Sequence, residues 1–242
     1  MAVTLITGAG SGIGAAASAV FAGRGDSVVC MDIDLDRARD TAGRLDSAIA
    51  VQADVTDLES CDAGVALAVD RFGDIDNVVT CAGIEAGGDP LEIDPELFRR
   101  VLDVNIMGSY LAVRAAASMM RDLGHGGAVV LIGSIASQMS FPGSAPYSAS
   151  KGGVLLLGKA LAVDLAPLGI RVNVIGPGVT DTPMSAESLA DPARRERYMS
   201  RIPLRRPADP SEIARMAYAL CSGDASYVTG AYLPVDGGWL AG

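Results

Sequence analysis

Three side chains that could carry a proton transfer lie close together in the stretch from Ser134 to Lys151. Tyr147 and Lys151 are four positions apart, so in a helix they share one face, one turn from each other. A phenol titrates near ~10, and a fixed cation about 4–6 Å away favours the phenolate and lowers that pKa. A tyrosine placed in this way can exchange a proton with a substrate oxygen near neutral pH. The same spacing is also typical of an ordinary surface pair, so other residues must decide between the two interpretations.

The elements that carry these side chains can be predicted from the residues around them. Ser134 follows the apolar run from Ala128 to Ile132, which predicts a buried strand ending in a loop. Turn residues follow, and a helix with many small residues then begins near Tyr147. Serine and phenol are therefore expected on two successive elements.

A nucleotide site is predicted near the amino terminus. The β-branched run from Val3 to Thr7 leads into a glycine turn and then the alanine-rich helix from Ala15 to Ala22. The turn has the spacing G-x-x-x-G-x-G, through Gly8, Gly12 and Gly14. Glycines let the backbone approach a pyrophosphate, and the helix N-terminus presents free N–H groups to it. Taken alone, the cluster could also be an ordinary strand-to-helix turn.

Asp32 predicts which dinucleotide binds there. It ends the predicted strand from Ser27 to Met31, 18 residues after Gly14, where the adenosine ribose would lie. A carboxylate accepts hydrogen bonds from both ribose hydroxyls and repels a 2′-phosphate, and neither Ser11 nor Ile33 supplies a cation. NAD is therefore the expected cofactor, although Asp32 alone could also be a helix cap.

Strands alternate with helical stretches along the whole chain, which predicts an α/β fold. The near-continuous apolar strands indicate a mainly parallel, seven-stranded, doubly wound sheet with helices on both faces, forming one Rossmann-like domain over residues 1–242. The remaining strands are expected at Ala48–Gln52, Ile75–Thr80, Ala128–Ile132, Ile170–Ile175 and Tyr232–Val235. A long amphipathic helix is expected from Pro95 to Leu123, with Asn105 hydrogen-bonded inside the protein because Val104 and Ile106 flank it.

Composition excludes several classes of function. The net charge of −10 argues against nucleic acid or an anionic membrane as a partner. No apolar run approaches the ~20 residues that span a bilayer, and no secretion signal is evident. The four cysteines form no C-x-x-C motif, so a cytoplasmic protein with reduced thiols is expected. With His125 as the only histidine, expected in a solvated glycine loop, neither a metal site nor a Ser-His-Asp triad is predicted.

Taken together, these motifs resemble the short-chain dehydrogenase/reductase family in its NAD-preferring form, over essentially the full length. The family's motifs occur here in order as Thr7 to Gly14 (T-G-x-x-x-G-I-G), Asp32, Asp54-Val55, Asn105, the set Ser134, Tyr147 and Lys151, and Pro177, Gly178 and Thr182. Two departures are evident. The usual N-N-A-G is Thr80-Cys81-Ala82-Gly83, and the usual P-L-G-R is Pro203-Leu204-Arg205-Arg206.

The resemblance implies roles for the matching residues. The implied catalytic residues are Asn105, which would position a water, Ser134, which would orient the substrate oxygen, Tyr147, the general acid/base, and Lys151, which would lower the phenol pKa and hold the nicotinamide ribose. The implied cofactor-binding residues are Gly8, Ser11, Gly12, Ile13, Gly14, Asp32, Ile33, Asp54, Val55, Ala82, Gly83, Tyr147, Lys151, Pro177, Gly178, Val179 and Thr182. Cys81 is expected to pack in the core, because no motif places a base beside it.

The implied function is an NAD-dependent oxidoreductase that interconverts a secondary alcohol and a ketone by hydride transfer. The substrate pocket is expected around Ser134, Ala136, Met139, Tyr147 and Met184, which favours a small to medium substrate with an apolar or aromatic group. A lid is expected at about residues 183–206, and its arginines either attract an anionic substrate or form a solvated helix face. The alternatives are an acyl-carrier or CoA-linked 3-oxoacyl reductase, a nucleotide-sugar epimerase or dehydratase, and a non-catalytic nucleotide-binding regulator.

Two predicted helices, from Pro95 to Leu123 and from Tyr147 to Leu165, carry more apolar surface than contact with one sheet needs. In the first the surplus residues are Ala112, Ala116, Ala117 and Met120, and in the second they are Gly152, Leu155, Leu156, Gly158 and Ala162. The resemblance implies that these helices pair with their copies about a two-fold axis, and that the segment from Trp239 to Gly242 joins a second interface to make a homotetramer. The alternative is close helix–sheet packing inside one subunit.

Overall fold

The computed structural model describes all 242 residues and contains one parallel seven-stranded sheet. The strands are β1 (Val3–Thr7), β2 (Ser27–Asp32), β3 (Ala48–Gln52), β4 (Asn77–Thr80), β5 (Gly127–Ile132), β6 (Ile170–Pro177) and β7 (Tyr232–Val235). Their order across the sheet is β3-β2-β1-β4-β5-β6-β7, and every neighbouring pair is parallel. The predicted doubly wound fold is confirmed.

Nine α-helices connect the strands and cover the two faces. They are α1 (Gly12–Ala22), α2 (Leu35–Ala42), α3 (Leu58–Phe72), α4 (Pro95–Leu102), α5 (Gly108–Leu123), α6 (Ala145–Leu165), α7 (Ala186–Ala190), α8 (Pro192–Arg201) and α9 (Pro210–Cys221). Several begin at an aspartate whose side chain accepts backbone N–H bonds, as Asp34, Asp57 and Asp209 do. No helix is long and apolar enough to cross a membrane.

The core consists of two layers because successive strand residues point to opposite faces of the sheet. On β1, Leu5 packs into the layer formed with α3, α5 and α6, and the next residue, Ile6, packs into the layer formed with α1 and α9. Both residues are fully buried. This explains why the strands are apolar along their whole length rather than at alternate positions.

The helix predicted from Pro95 to Leu123 is interrupted by a π-helical turn at Asp103–Met107. The turn contains Asn105, which is fully buried, as expected from its apolar neighbours. The extra residue of a π turn changes the direction of a helix face locally, and such turns are frequent at functional sites.

The surplus apolar residues predicted for the first assembly helix are used inside the chain. Ala112, Ala116, Ala117 and Met120 are all buried, in the layer between the sheet and α5. Because α3 and the sheet already cover them, the prediction that they pair between subunits is wrong. Of the residues predicted on α6, Leu155, Gly158 and Ala162 are also buried, so the prediction is wrong for them. Leu156 is 67% exposed and Gly152 has open space beside it, and Val163, which was not predicted, is 74% exposed.

His125 lies in the predicted glycine loop, but its ring is not free in solvent. The ring is only partly exposed, and its Nε2 lies 2.6 Å from Asp74 Oδ1 while Nδ1 lies 2.7 Å from the Gly126 carbonyl oxygen. The loops before β4 and β5 bring the two side chains together at the amino end of the sheet. Burial lowers the pKa of His125, but the backbone contact with Gly126 and the Asp74 carboxylate outweigh it and raise the pKa.

Candidate active site

The glycine turn after β1 is shaped by contacts that leave no room for side chains. Gly8 and Gly12 have φ values of +64° and +51°, which favour glycine. A Cβ on Gly8 would lie 2.7 Å from the Ala82 nitrogen, so the loops after β1 and β4 touch at this point. The first turn of α1 contains no acidic residue, and its free N–H groups suit an anion such as a pyrophosphate.

Asp32 lies at the carboxyl end of β2 with its carboxylate held on both oxygens. Oδ2 accepts from the Gly10 N–H at 2.8 Å, and Oδ1 accepts from the Asp34 N–H at 3.0 Å. Arg37 flanks the same glycine, because a Cβ on Gly10 would meet the Cβ of Arg37 and Oδ2 of Asp32. Its guanidinium pairs with Asp34 at 3.1 Å. Sequence reasoning considered only Ser11 and Ile33 as sources of a cation and missed Arg37.

The other residues predicted to contact the adenine lie on the β3 side of the crevice. The Asp54 carboxylate accepts from the backbone and hydroxyl of Thr56, at 2.9 and 2.7 Å. Val55 is buried against Gly108, at the start of α5. Ile33 is 64% exposed beside Asp32, where an apolar side chain could lie against a planar base.

The segment after β6 closes the other side of the crevice. A Cβ on Gly12 would lie 3.3 Å from the Thr182 methyl, so this threonine approaches the glycine turn. Gly178 lies close to Asp236, at the end of β7, and its N–H donates to the Val235 carbonyl at 3.0 Å. Pro177 is the last residue of β6, and Val179 packs towards Ile135 and Trp239.

The replacement of the family's two asparagines by Thr80 and Cys81 leaves a buried hydroxyl unpaired but preserves the loop that follows. The buried Thr80 hydroxyl has no hydrogen-bond partner. Thr7 still receives the Ala82 N–H at 3.2 Å, which keeps the Ala82-Gly83 backbone in the crevice. Lys151 lies near Cys81 and lowers the pKa of its thiol, but burial dominates and raises it to about 12. The thiol therefore stays protonated, as a packing role requires.

Ser134 follows β5 and its side chain is already oriented. Its Oγ accepts from the Ala136 N–H at 3.1 Å, and its own N–H donates to the Ser137 hydroxyl at 3.2 Å. Because the Ser134 oxygen is occupied as an acceptor, its hydrogen is available to be donated to another oxygen. Ser134 lowers the pKa of the Tyr147 phenol, which is on α6.

Lys151 lies one turn along α6 from Tyr147 and is almost completely buried. Its Nζ donates to the Ile132 carbonyl at 2.9 Å and lies 5.7 Å from the centre of the Tyr147 ring. Burial lowers its pKa to about 8. A Cβ on Gly83 would lie 3.6 Å from Nζ, so the ammonium faces the loop that was predicted to border the cofactor.

The expected lowering of the Tyr147 pKa by Lys151 is not observed in the chain alone. Burial raises the pKa of Tyr147 to about 12; Ser134 lowers it, and the charge of Glu85 raises it further. The ammonium lies over the ring and is hydrogen-bonded to Ile132. In the isolated chain, the cost of desolvating the phenolate therefore exceeds any stabilisation of the phenolate by Lys151.

Asn105 uses its side-chain amide to hold the loop after Gly83. Oδ1 accepts from the Ile84 N–H at 2.8 Å, and Nδ2 donates to the Ile84 carbonyl and to the Ser150 hydroxyl, both at 2.9 Å. Both amide hydrogens are thus used, and a water at Asn105 would have to donate to Oδ1 or to the main-chain carbonyl.

Comparison with known proteins agrees with this geometry. The family model described as "Enoyl-(Acyl carrier protein) reductase" matches residues 8–240. The chain is 38% identical, over 99% of its length, to trans-4-hydroxycyclohexanecarboxylate dehydrogenase of Sinomonas cyclohexanicum, and covers 93% of that protein. The chain belongs to the short-chain dehydrogenase/reductase family.

Two further relatives concern the cofactor of this dehydrogenase. L-rhamnose 1-dehydrogenase (NAD(P)(+)) of Azotobacter vinelandii is 39% identical, with 97% of this chain and 94% of that protein covered. A 3-ketoacyl-(acyl-carrier-protein) reductase of Brucella melitensis, solved with NADH, has a TM-score of 0.90 and 35% identity, with 98% of each chain covered. A nicotinamide cofactor and an oxidoreductase reaction at CH–OH groups are confirmed at this level.

An aromatic and apolar cluster lies next to Ser134, because the following residue, Ile135, belongs to it. Ile135, Ile202 and Trp239 form its buried centre, and the partly buried residues around it are Met139, Phe141, Val179, Tyr198, Met199 and Leu240. The Trp239 ring packs edge-on against Phe141, and its buried Nε1 has no hydrogen-bond partner. Of the predicted pocket residues, Met139 joins this cluster, Ala136 is buried, and Met184 is 48% exposed and lies outside the cluster.

The arginines near the predicted lid are paired unevenly. Arg194 and Arg206 form ion pairs with Asp191 and Glu212. Arg201 lies 5.0 Å over the Trp239 ring and has no carboxylate partner. Arg205, which replaces the family's glycine, has a φ of +58°, so the backbone keeps the left-handed conformation that glycine adopts easily.

Sequence reasoning missed Glu85 as well. This residue follows Gly83 by two positions, and its charge raises the pKa of Tyr147 although its own side chain is exposed. The available signal was a carboxylate in the loop that was already expected to border the pocket.

Proposed function

We propose that this dehydrogenase uses NAD(H) to interconvert a secondary alcohol and a ketone, with Tyr147 as the general acid/base. The observation that carries the proposal is the convergence of Ser134, Tyr147 and the buried Lys151 beside Gly83, next to the glycine turn. A buried lysine is costly unless it has partners, and Nζ uses only one of its hydrogens within the chain. Two remain for the hydroxyls of a nicotinamide ribose.

Each residue of the site has a separate role in the proposed reaction. NAD supplies the hydride acceptor and, when oxidised, a positive charge that favours a nearby phenolate. Ser134 donates its free hydrogen to the substrate oxygen and orients it towards Tyr147. Tyr147 takes the alcohol proton during oxidation and returns it during reduction. Asn105 holds Ile84, and through it Gly83, against Lys151.

We infer NAD preference from Asp32. Its carboxylate is fixed by Gly10 and Asp34, so it cannot turn away from a 2′-phosphate. NAD(H) is expected to bind about tenfold or more tightly than NADP(H), because one unit charge repulsion at close range is worth at least that factor. Equal dissociation constants in a fluorescence titration would contradict this preference.

The variant Asp32→Ser should reverse that preference. Removing the carboxylate removes the repulsion and leaves Arg37 as a cation beside Gly10. We expect NADP(H) to bind more tightly to the variant than to the wild type and NAD(H) to bind more weakly, in the same titration. The control is Asp36→Ser, an exposed carboxylate two positions beyond Asp34, which should change neither constant.

The aromatic cluster favours substrates with an apolar or ring-shaped body. The test is a panel of ring alcohols, with and without a carboxylate, that includes L-rhamnose. A 3-oxoacyl thioester is tested beside them, and each compound is tested with NAD(H) and with NADP(H). Reduced cofactor is followed by absorbance. Turnover of ring alcohols with NAD is the expected result. Turnover of the thioester alone, with NADPH, would favour the acyl reductase that the structural relative represents.

We also propose a cytoplasmic location and a homotetramer. All four cysteines are unpaired, as expected in a reducing compartment. The exposed apolar side chains of Leu156 and Val163 on α6 support assembly.

A further inference from the structure

Tyr232, the first residue of the edge strand β7, reaches the predicted catalytic serine. Its hydroxyl donates to the Ser134 carbonyl at 2.8 Å, although the two residues are 98 positions apart. We propose that Tyr232 is a positioning residue that holds the Ser134 hydroxyl in register with Tyr147. The proposal rests on the reaction assigned above.

The ring of Tyr232 crosses the sheet edge through a gap left by Gly176. Tyr232 is paired with Val174 in the β6–β7 ladder, two residues before this glycine. A Cβ on Gly176 would overlap the phenol hydroxyl and the adjoining ring carbons. The glycine on β6 and the tyrosine on β7 therefore form a matched pair, and any side chain at 176 would displace the phenol.

Ser134 needs such a donor because it lies beyond the regular sheet. The β5–β6 ladder ends at Ile132, and the last backbone bond on this side joins the Gly133 N–H to the Ile175 carbonyl at 2.8 Å. The Ser134 carbonyl accepts one local bond, from the Ser137 N–H at 2.9 Å. The Tyr232 hydroxyl supplies the only bond from the neighbouring strands to this carbonyl.

The bond from Tyr232 restrains the backbone of Ser134 and thereby the position of its side-chain Oγ. The side-chain Oγ and the carbonyl belong to one residue whose N–H is also held, by Ser137, which in turn donates to the Lys151 carbonyl at 2.8 Å. Removing the phenol donor leaves Ser134 held only by the local bonds to Ala136 and Ser137, so the peptide can tilt and move Oγ relative to Tyr147. Displacements near 1 Å at a positioned group can cost about 10²-fold in rate. Burial, with a smaller contribution from Asp236, raises the pKa of Tyr232 to about 12, so it remains a donor over the working pH range.

The first test is Tyr232→Phe, with Tyr227→Phe as the matched control because Tyr227 is fully exposed. We expect Tyr232→Phe to lower kcat by about 10-fold, which is less than the loss of about 10²-fold for a full 1 Å displacement. NADH affinity and the melting temperature should stay near the wild-type values, and Tyr227→Phe should behave as wild type. An unchanged kcat in Tyr232→Phe overturns the proposal, and so does a loss explained by weaker NADH binding or by unfolding.

The second test asks whether the effect passes through Ser134. In a Ser134→Ala background the hydroxyl to be positioned is gone, so adding Tyr232→Phe should cost almost nothing further. If Tyr232→Phe lowers kcat by the same factor in both backgrounds, it acts by another route and the proposal fails.

A third readout needs no substrate and separates this proposal from the proposed function. Ser134 lowers the pKa of Tyr147, so loosening Ser134 should raise that pKa. Phenolate absorbance, taken as the difference between each protein and its Tyr147→Phe counterpart and titrated up to about pH 11, should rise less in Tyr232→Phe than in wild type or Tyr227→Phe. An unchanged titration overturns the positioning role whether or not an alcohol is turned over. A shifted titration in a protein that oxidises no alcohol would support it and count against the reaction alone.

Discussion

At the scale of residues, the acid/base group is set by its surroundings more than by its spacing. The Y-x-x-x-K pattern correctly brings Lys151 near Tyr147, but burial raises the pKa of the phenol to about 12. The groups that favour the phenolate are Ser134 and, when the oxidised cofactor is bound, its positive charge. Cofactor binding and proton transfer are therefore expected to be coupled.

Glu85 gives a direct test of this electrostatic balance. Its charge raises the pKa of Tyr147, so Glu85→Gln should lower that pKa. The rate of alcohol oxidation rises as Tyr147 loses its proton, and the rising limb of the pH–rate profile should move to lower pH. Glu92→Gln, an exposed carboxylate farther along the same loop, should leave the profile in place. A shift of the Glu85→Gln profile to higher pH would contradict the sign of this interaction.

At the scale of elements, motifs predicted where side chains lie but not how they are held. Asp32 and Ser134 come at strand ends as the apolar runs require, and the parallel fold brings them to one edge of the sheet. The role of Asn105 in holding the loop could not be foreseen, because its side chain bonds to Ile84 and Ser150, which are distant in sequence. The bond from Tyr232 to Ser134 could not be predicted for the same reason, because it joins two elements that share no motif.

The loops that lead into β4 and β5 should give the protein a pH-dependent stability. The pKa of His125 is raised in the folded chain by its Gly126 and Asp74 contacts. Its contribution is therefore fully present below the ordinary value of 6.5 and is lost as pH rises through the folded pKa. His125→Gln should lower the melting temperature at about pH 5.5 more than at about pH 9. An equal decrease at both pH values would show that the ring acts by packing alone.

At the scale of the whole molecule, the exposed apolar surface that supports the proposed assembly lies on α6 and not on α5. Its exposed or open positions are Ala149, Gly152, Leu156, Ala160 and Val163, which recur every three or four residues. Such spacing forms one continuous stripe on a helix. Stripes of this kind are unusual on a monomer, which supports pairing of α6 with its copy in a second subunit.

Leu156→Glu tests this interface. It places a charge in the middle of the stripe and should dissociate the assembly, because an unpaired buried charge is costly. Leu67→Glu, at an exposed leucine on α3, is the control and should keep the wild-type mass. Light scattering should give four times the 24.7 kDa chain mass for the wild type and control, and a smaller mass for Leu156→Glu. A monomeric wild type would end the assembly proposal, and a tetrameric Leu156→Glu would exclude α6.

The central claim is that Tyr147 carries the proton in a reaction for which the rest of the site binds the cofactor. The most direct measurement is turnover of Tyr147→Phe, together with its NADH affinity. The substitution removes only the phenolic hydroxyl, so kcat should fall by about 10²–10⁴-fold while the NADH dissociation constant stays near the wild-type value. A variant that keeps more than about 10% of the wild-type rate, a far smaller loss than that range, would contradict the claim, because another group would then have to carry the proton.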